Sequence, residues 1–250
     1  MTTRPSSASS ERSAETRGRI LGAALTEFSA HGLAGARMDK IAGAASVNKA
    51  LLYYYYDSKE KLYDAALEMI SAKIRDRTMA VFVLESSPGE RLLYLALDHF
   101  DRIMTQHEFQ RLMQQEMIRL HQGESAELPI IVKRVFAPVQ AMYQSLVREG
   151  IESGELIHAD WLQIQLAALG ANVVYFMSAP VWRILLPFDP LAPEVLAERR
   201  KELVGFLGQA MFADRQHGAE LAARVLANSP MPEVDSARLK LLGRKDERAQ

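Results

Sequence analysis

The chain has 250 residues, a formal net charge of −1, 48% hydrophobic side chains and no cysteine. That is enough apolar material for one large or two modest cored domains, and the missing thiols exclude disulfides, thiolate metal sites and thiol redox sensing. A near-neutral balance excludes a polycation, so any surface for an anionic polymer must be local. Residues 1–61 carry nine Lys/Arg against six Asp/Glu, a small excess of the right sign.

Residues 1–12 are small, polar and aperiodic and are expected to form a disordered arm, with Arg4 and Arg12 solvated. They hold no apolar run, so no secretory leader is expected. A helix follows over about residues 14–30, with Ile20, Ala23, Ala24, Leu25 and Phe28 on one stripe and Gly32 as the left-handed residue beyond its end. Met38, Ile41, Ala42 and Ala45 recur at helical spacing and predict a short second helix. Ser46 and Val47 then turn the chain. Asn48 is placed to cap a third helix by accepting from an unpaired backbone N–H one turn on. In that helix Leu52 points inward, leaving Lys49, Ala50, Leu51, Tyr53 and Tyr54 on the remaining face. Ser58 caps a fourth helix over about 59–84, the natural lever between head and body.

Further on, Ser86-Ser87-Pro88-Gly89 is a turn, and helices are expected at about 88–105, 109–120 and 129–153, with His107 at a break and Pro138 kinking the last of these. Asp160 caps a helix over about 161–178 that is apolar nearly all round, and another spans about 193–212. A helix apolar on every side needs two covers. A second subunit is the expected outer one, with Leu166, Val173, Leu203, Phe206, Leu207 and Ala210 at a four-helix homodimer interface. Gly205, Gly208 and Ala210 allow close helix approach there. A short helix at 218–228 and a loosely held tail from 229 complete the chain. The run from Trp161 to Met177 is too short and too polar for a membrane span, so a cytoplasmic location without membrane partners is expected. The fold expected is all-α, with about nine to ten helices. It divides into an arm (1–12), a three-helix helix-turn-helix domain (13–61), a helical ligand-binding and dimerisation domain (62–228) and a tail (229–250).

The segment from Thr16 to Leu67 resembles the DNA-binding domain of the TetR/AcrR family of transcriptional regulators. The matching residues are Ile20-Leu21, Ala23-Ala24, Phe28, Gly32, Ile41-Ala42, Ala45, Val47, Leu52-Tyr53, Tyr55, Ser58-Lys59-Glu60 and Leu62. Ser46 stands where the family usually has Gly, and must take a left-handed backbone. Asn48 stands for the usual Ser, Tyr56 for the usual Phe, and Arg37-Met38 for the common Thr. The resemblance implies a double-stranded DNA operator as partner, repression as the usual mode, a homodimer and a small-molecule effector.

The residues expected to meet DNA are Arg37, Asn48, Lys49, Ala50, Leu51, Tyr53, Tyr54, Tyr55 and Lys59. Lys49 can donate to guanine O6 and N7, and Ala50 and Leu51 can meet a thymine methyl. The tyrosine hydroxyls can reach bases or phosphates. Tyr55 and Lys59 are carried over from the family pattern as phosphate contacts. Tyr56 is read as core, but one short helix cannot bury four successive side chains. Candidate effector contacts are His99, Met104, Met113, Met117, Phe136, Tyr143, Asn172 and Phe176, an apolar set with a few polar groups. Taken singly these side chains read first as core; a pocket among them follows from the resemblance. No catalytic motif is present, no cofactor or metal is expected, and the pairs His99 with Asp101 and His121 with Glu124 read as surface or capping arrangements. The function expected is therefore a ligand-responsive DNA-binding regulator and not an enzyme. A structural or cell-division factor on the same scaffold, without an inducer, is the alternative.

Overall fold

The computed structural model describes residues 7–125 and 127–233. Residues 1–6 of the expected arm and 234–250 of the expected tail lie outside the described residues. The described residues form thirteen α-helices, two π-helical turns at Val132–Phe136 and Leu166–Gly170, and no strand. No single helix among them is long and apolar enough to cross a membrane. The chain divides into two compact units: Met1–Arg75 with Glu108–Phe136, and Asp76–His107 with Ala137–Gln250.

The first unit is built on α1 (Ser7–Gly35), α2 (Met38–Ala44), α3 (Lys49–Tyr56) and the first part of α4 (Lys59–Phe82). The helical span of α1 starts earlier than its apolar stripe requires and is broken at Gly32, whose φ of 67° is the positive value foreseen for that glycine. Ile20, Phe28, Ile41, Leu52, Leu62 and Leu67 are fully buried in one core. The α6 helix (His107–His121), α7 (Glu127–Ile131) and the π-helical turn after it close over this core with Leu112, Ile131 and Val135. The break expected at His107 falls at Gln106, and His107 opens α6.

Within this unit Tyr63 stands edge-on to Phe28, with ring centroids 4.9 Å apart, and donates its hydroxyl to Glu116 at 2.7 Å. Glu116 is buried and also accepts from Arg119 and Ser125. A carboxylate out of water needs such donors to stay ionised at tolerable cost. Burial raises the Tyr63 hydroxyl's pKa, as does its bond to Glu116. Next to it Asp64 is pushed up to about 6, first by burial and then by the charge of Glu127.

The second unit surrounds α5 (Pro88–Thr105), which starts on a Ser87 cap and a Pro in its first turn. Leu92, Leu93, Ala96 and Phe100 are fully buried along it. The break expected at Pro138 is present: the helical run over 127–152 loses α-geometry directly ahead of it. Pro138 lies in the first turn of α8 (Ala137–Glu152), directly after the π-helical turn Val132–Phe136. The wider turn is where the irregular bonding forced by proline is absorbed. The apolar run after Asp160 divides likewise into α9 (Trp161–Gln165), the second π turn and α10 (Ala171–Met177). Pro180 was expected to end the segment. Instead it sits in the first turn of a further helix, α11 (Ala179–Leu185), a position where its missing N–H costs nothing.

The closing pair is α12 (Pro193–Ala210) and α13 (Arg215–Asn228), the latter capped by Asp214 and longer than sequence periodicity suggested. Their backbones meet at Gly208 and Gly218: a Cβ on Gly218 would stand 1.9 Å from the Gly208 carbonyl oxygen. Gly208 therefore serves packing inside one chain, not the approach of two subunits. Arg200 of α12 is buried and makes two bonds to Asp101 of α5, at 2.8 and 2.9 Å, and one to the Ser229 carbonyl at 2.8 Å. Burial raises the Asp101 pKa even so, opposed by the Arg200 bonds.

Two outcomes follow from this packing. Gly218→Ala separates α12 from α13 and costs about 1–3 kcal/mol or more, read as a lower midpoint in chemical denaturation. Asp64 is more acidic unfolded, at roughly 4, so the folded state holds a proton between about pH 4 and 6 that the unfolded state has lost. Its contribution to stability is therefore present at low pH and lost as pH rises through 6. Asp64→Asn stabilises the protein at pH 7 by on the order of 1 kcal/mol, allowing for solvent screening, and has little effect at pH 4 in paired thermal melts.

Candidate nucleic-acid interface

The turn between α2 and α3 is made by Ala45, Ser46 and Val47. Ser46 has a φ of 54°, the left-handed backbone expected of it, and the Val47 N–H donates to the Ala42 carbonyl at 3.0 Å. The Asn48 side chain then accepts from the Leu51 N–H at 2.8 Å and caps α3 as predicted. Of the eight residues of α3 only Leu52 is buried. One inward side chain leaves the outer face free.

On that face Tyr54 is 79% exposed, Tyr53 is also exposed, and Asn48, Lys49 and Ala50 are open to solvent. Leu51 is half-buried. Arg37, the residue before α2, is exposed, and its backbone N–H donates to Glu27. Tyr55 lies differently from its neighbours: half-buried, its hydroxyl is 3.2 Å from Ser13 Oγ, and the Arg17 guanidinium lies over its ring. Burial raises the pKa of Tyr56, which is half-buried against the core in the place assigned to it. The Lys59 ammonium donates to the Ala34 carbonyl at 3.0 Å and ties the start of α4 to the end of α1.

Sequence reasoning missed Asp39. Its carboxylate takes the Lys49 ammonium at 2.8 Å, with both side chains more than half exposed. The bond to Lys49 and its charge lower the Asp39 pKa, and the same bond raises that of Lys49. No helical periodicity relates residues on two different helices, so only the fold reveals the pair. Asp57, with a φ of 54° at the end of α3, is a second left-handed residue that nothing in the sequence reading anticipated.

The eight candidate effector contacts are not brought into one body. Met113, Met117 and Phe136 belong to the first unit, and His99, Met104, Tyr143, Asn172 and Phe176 to the second. Met117 is 55% exposed and is no interior residue, because it lies on the outer side of α6, where Leu112 takes the inward place. In the second unit Met104, Tyr143, Asn172 and Phe176 are buried, and Phe100 and Phe176 stack with centroids 5.1 Å apart. Asn172 donates to the Ala96 carbonyl at 3.1 Å and approaches His99 Nδ1 at 3.4 Å. Burial lowers the His99 pKa to about 3, followed by the charge of Arg102, so the ring is neutral. Tyr143 Oη and Asn172 Oδ1 are among the seven buried side-chain polar atoms of the described residues that have no partner.

Of the expected dimer residues, Leu166, Phe206 and Ala210 are exposed and Val173 is half-buried. Leu203 and Leu207 are buried within the chain itself and are not available to a partner. They face the core of their own unit because α13 and α5 cover that side of α12.

Comparison with known proteins bears on both units. Residues 20–66 match the family model described as bacterial regulatory proteins, tetR family, and residues 88–206 match that of the tetracyclin repressor-like C-terminal domain. The HTH-type transcriptional repressor NicS of Pseudomonas putida is 27% identical over 179 residues, 72% of this chain and 83% of NicS. The HTH-type transcriptional repressor SCO4008 of Streptomyces coelicolor is 51% identical over 53 residues, 21% of this chain and 28% of that protein. The crystal structure of a TetR/AcrR-family regulator from Thermobifida fusca has a TM-score of 0.55 at 25% identity, covering 76% of this chain and 95% of that one.

The cap at Asn48 is directly testable. Asn48→Ala leaves the Leu51 N–H without its acceptor and lowers stability by about 1 kcal/mol in chemical denaturation, whereas Asn48→Ser retains most of it.

Proposed function

The chain belongs to the TetR/AcrR family of transcriptional regulators, and we propose that it acts as a repressor released from its operator by a small apolar or amphipathic molecule. The observation that carries the DNA side of this reading is α3 itself: a capped helix with one buried residue and an outward row of Lys49, Tyr53 and Tyr54. Such a helix fits a major groove, where an ammonium and phenolic hydroxyls reach base edges. Arg37, Asn48, Ala50 and Leu51 flank the row. Tyr55, steadied by Ser13 and Arg17, and Lys59 at a helix start are suited to phosphates. The relatives NicS and SCO4008 are repressors, which favours repression here.

A homodimer presents two such helices to half-sites about 34 Å apart. The exposed apolar side chains Leu166, Val174, Met177, Val181, Ile184 and Phe206 support this, since a patch of that kind is seldom left to water. The effector is assigned to the interior of the second unit. Its support is two unpartnered buried oxygens of that unit, Asn172 Oδ1, on a side chain 3.4 Å from neutral His99, and Tyr143 Oη, in the core that also holds the rings of Phe100 and Phe176. A guest with an N–H or O–H group completes them while its apolar body meets the rings. Release from DNA requires that this guest bind the two states with different affinity, and α4, which runs from one unit into the other, is the element to carry the change.

In a mobility shift on the protein's own upstream DNA, Tyr54→Ala weakens specific binding about tenfold or more. Lys59→Ala weakens binding to all sequences alike and flattens the salt dependence by about one unit of slope. Unchanged binding in both variants contradicts the reading. Tyr143→Phe removes an unsatisfied buried hydroxyl and raises the stability of the ligand-free protein by about 1 kcal/mol; a marked loss in a thermal melt tells against a guest at that hydroxyl.

A further inference from the structure

We propose that Asp39 and Lys49 act together as a single reading head that selects a C·G base pair in each operator half-site. The proposal rests on the docking of α3 described above and adds a specificity-determining residue from α2. Lys49 opens α3 and Asp39 lies in the first turn of α2, and the fold brings Nζ and Oδ1 to 2.8 Å on the solvent side of the helix-turn-helix.

Three features favour recognition over mere bracing. First, the pair is open to solvent, with side-chain exposures of 52% for Lys49 and 60% for Asp39; exposed ion pairs contribute little to stability. Second, a carboxylate on a surface that meets phosphates is repelled from them, so its presence there disfavours DNA binding unless a donor awaits it. Among major-groove edges the donors are cytosine N4 and adenine N6. Third, the spacing matches. In a C·G pair the cytosine N4 and guanine O6 are hydrogen-bonded to each other, about 2.9 Å apart, close to the separation of the ammonium and carboxylate.

The two pairs can therefore meet side by side without either coming apart. An ammonium has three donors and a carboxylate about four acceptor sites. With one of each engaged in the Asp39–Lys49 bond, Lys49 still reaches O6 and N7 of guanine, and Asp39 accepts the outward N4 hydrogen of cytosine. An A·T pair offers the same order of donor and acceptor but only the single O4 for the ammonium, so C·G is preferred. Reversing the pair sets the carboxylate against O6 and N7, two acceptors, and is rejected.

The test is selection of bound duplexes from a random pool by the full chain and by Asp39→Ala and Asp39→Asn. The native protein is expected to select a motif with a C·G pair at one position of each half-site. In Asp39→Ala the preference at that position falls about tenfold, other positions are unchanged, and affinity for random DNA rises as the repelling charge is removed. In Asp39→Asn the position drifts towards adenine, the base an amide pairs with. A merely structural Asp39 shifts the melting temperature and leaves base preference untouched. A motif identical in native and Asp39→Ala protein overturns the proposal, as does a lost preference at an A·T pair. A native chain that selects no motif overturns the α3 docking itself.

Discussion

Leu52 is the side chain on which the DNA-facing surface depends. An isolated helix of eight residues is unstable in water, and Leu52 is the one fully buried side chain of α3, in the core that holds Ile20, Phe28, Ile41 and Leu62, with Tyr55 and Tyr56 packed partly against it. The face that carries Lys49, Tyr53 and Tyr54 is left to solvent. The Asn48 cap and the left-handed Ser46 do the rest: one satisfies the first turn, the other aims the helix away from α2. A polar or shortened residue at 52 removes the anchor, and the reading surface goes with it.

Both units also bury charge, and each does so with its partners in place. Glu116 has Tyr63, Arg119 and Ser125; Asp101 has Arg200, whose Nη2 also donates to the Ser229 carbonyl just past α13. Pairs of this sort add little net stability. Their effect is to fix geometry, since any other arrangement of α4 with α6, or of α5 with α12, strands a charge away from water. The unpartnered oxygens of Tyr143 and Asn172 lie buried in the second unit without such donors.

Local signals in the sequence were read well and long-range ones poorly, for physical reasons. Caps at Asn48, Ser58 and Asp160, the positive φ at Gly32 and Ser46, and the inward Leu52 follow from one or two turns of chain, and all are present. The all-helical class was plain from periodicity. A proline was the first source of error. Pro138 does break α-geometry, through the π turn ahead of it, but Pro180 read only as an end and instead opens a further helix, where no N–H is required. Helix faces were the second. Leu203 and Leu207 look the same in sequence whether they meet a second subunit or α13, and the choice depends on a helix whose start at Arg215 the periodicity understated. The Asp39–Lys49 pair was illegible because it joins two helices across a turn.

The meeting of α12 and α13 at Gly208 and Gly218 has a mechanical consequence. Helices that interlock through long side chains can ratchet, rotamer by rotamer, as one slides past the other. Here carbonyl and α-carbon touch with nothing soft between them, so the two helices have no gear to shift. Any rearrangement in that part of the chain carries them together as one rod, and its flexure falls to segments where the backbone bonding is already loosened, such as the wide turn ahead of Asn172.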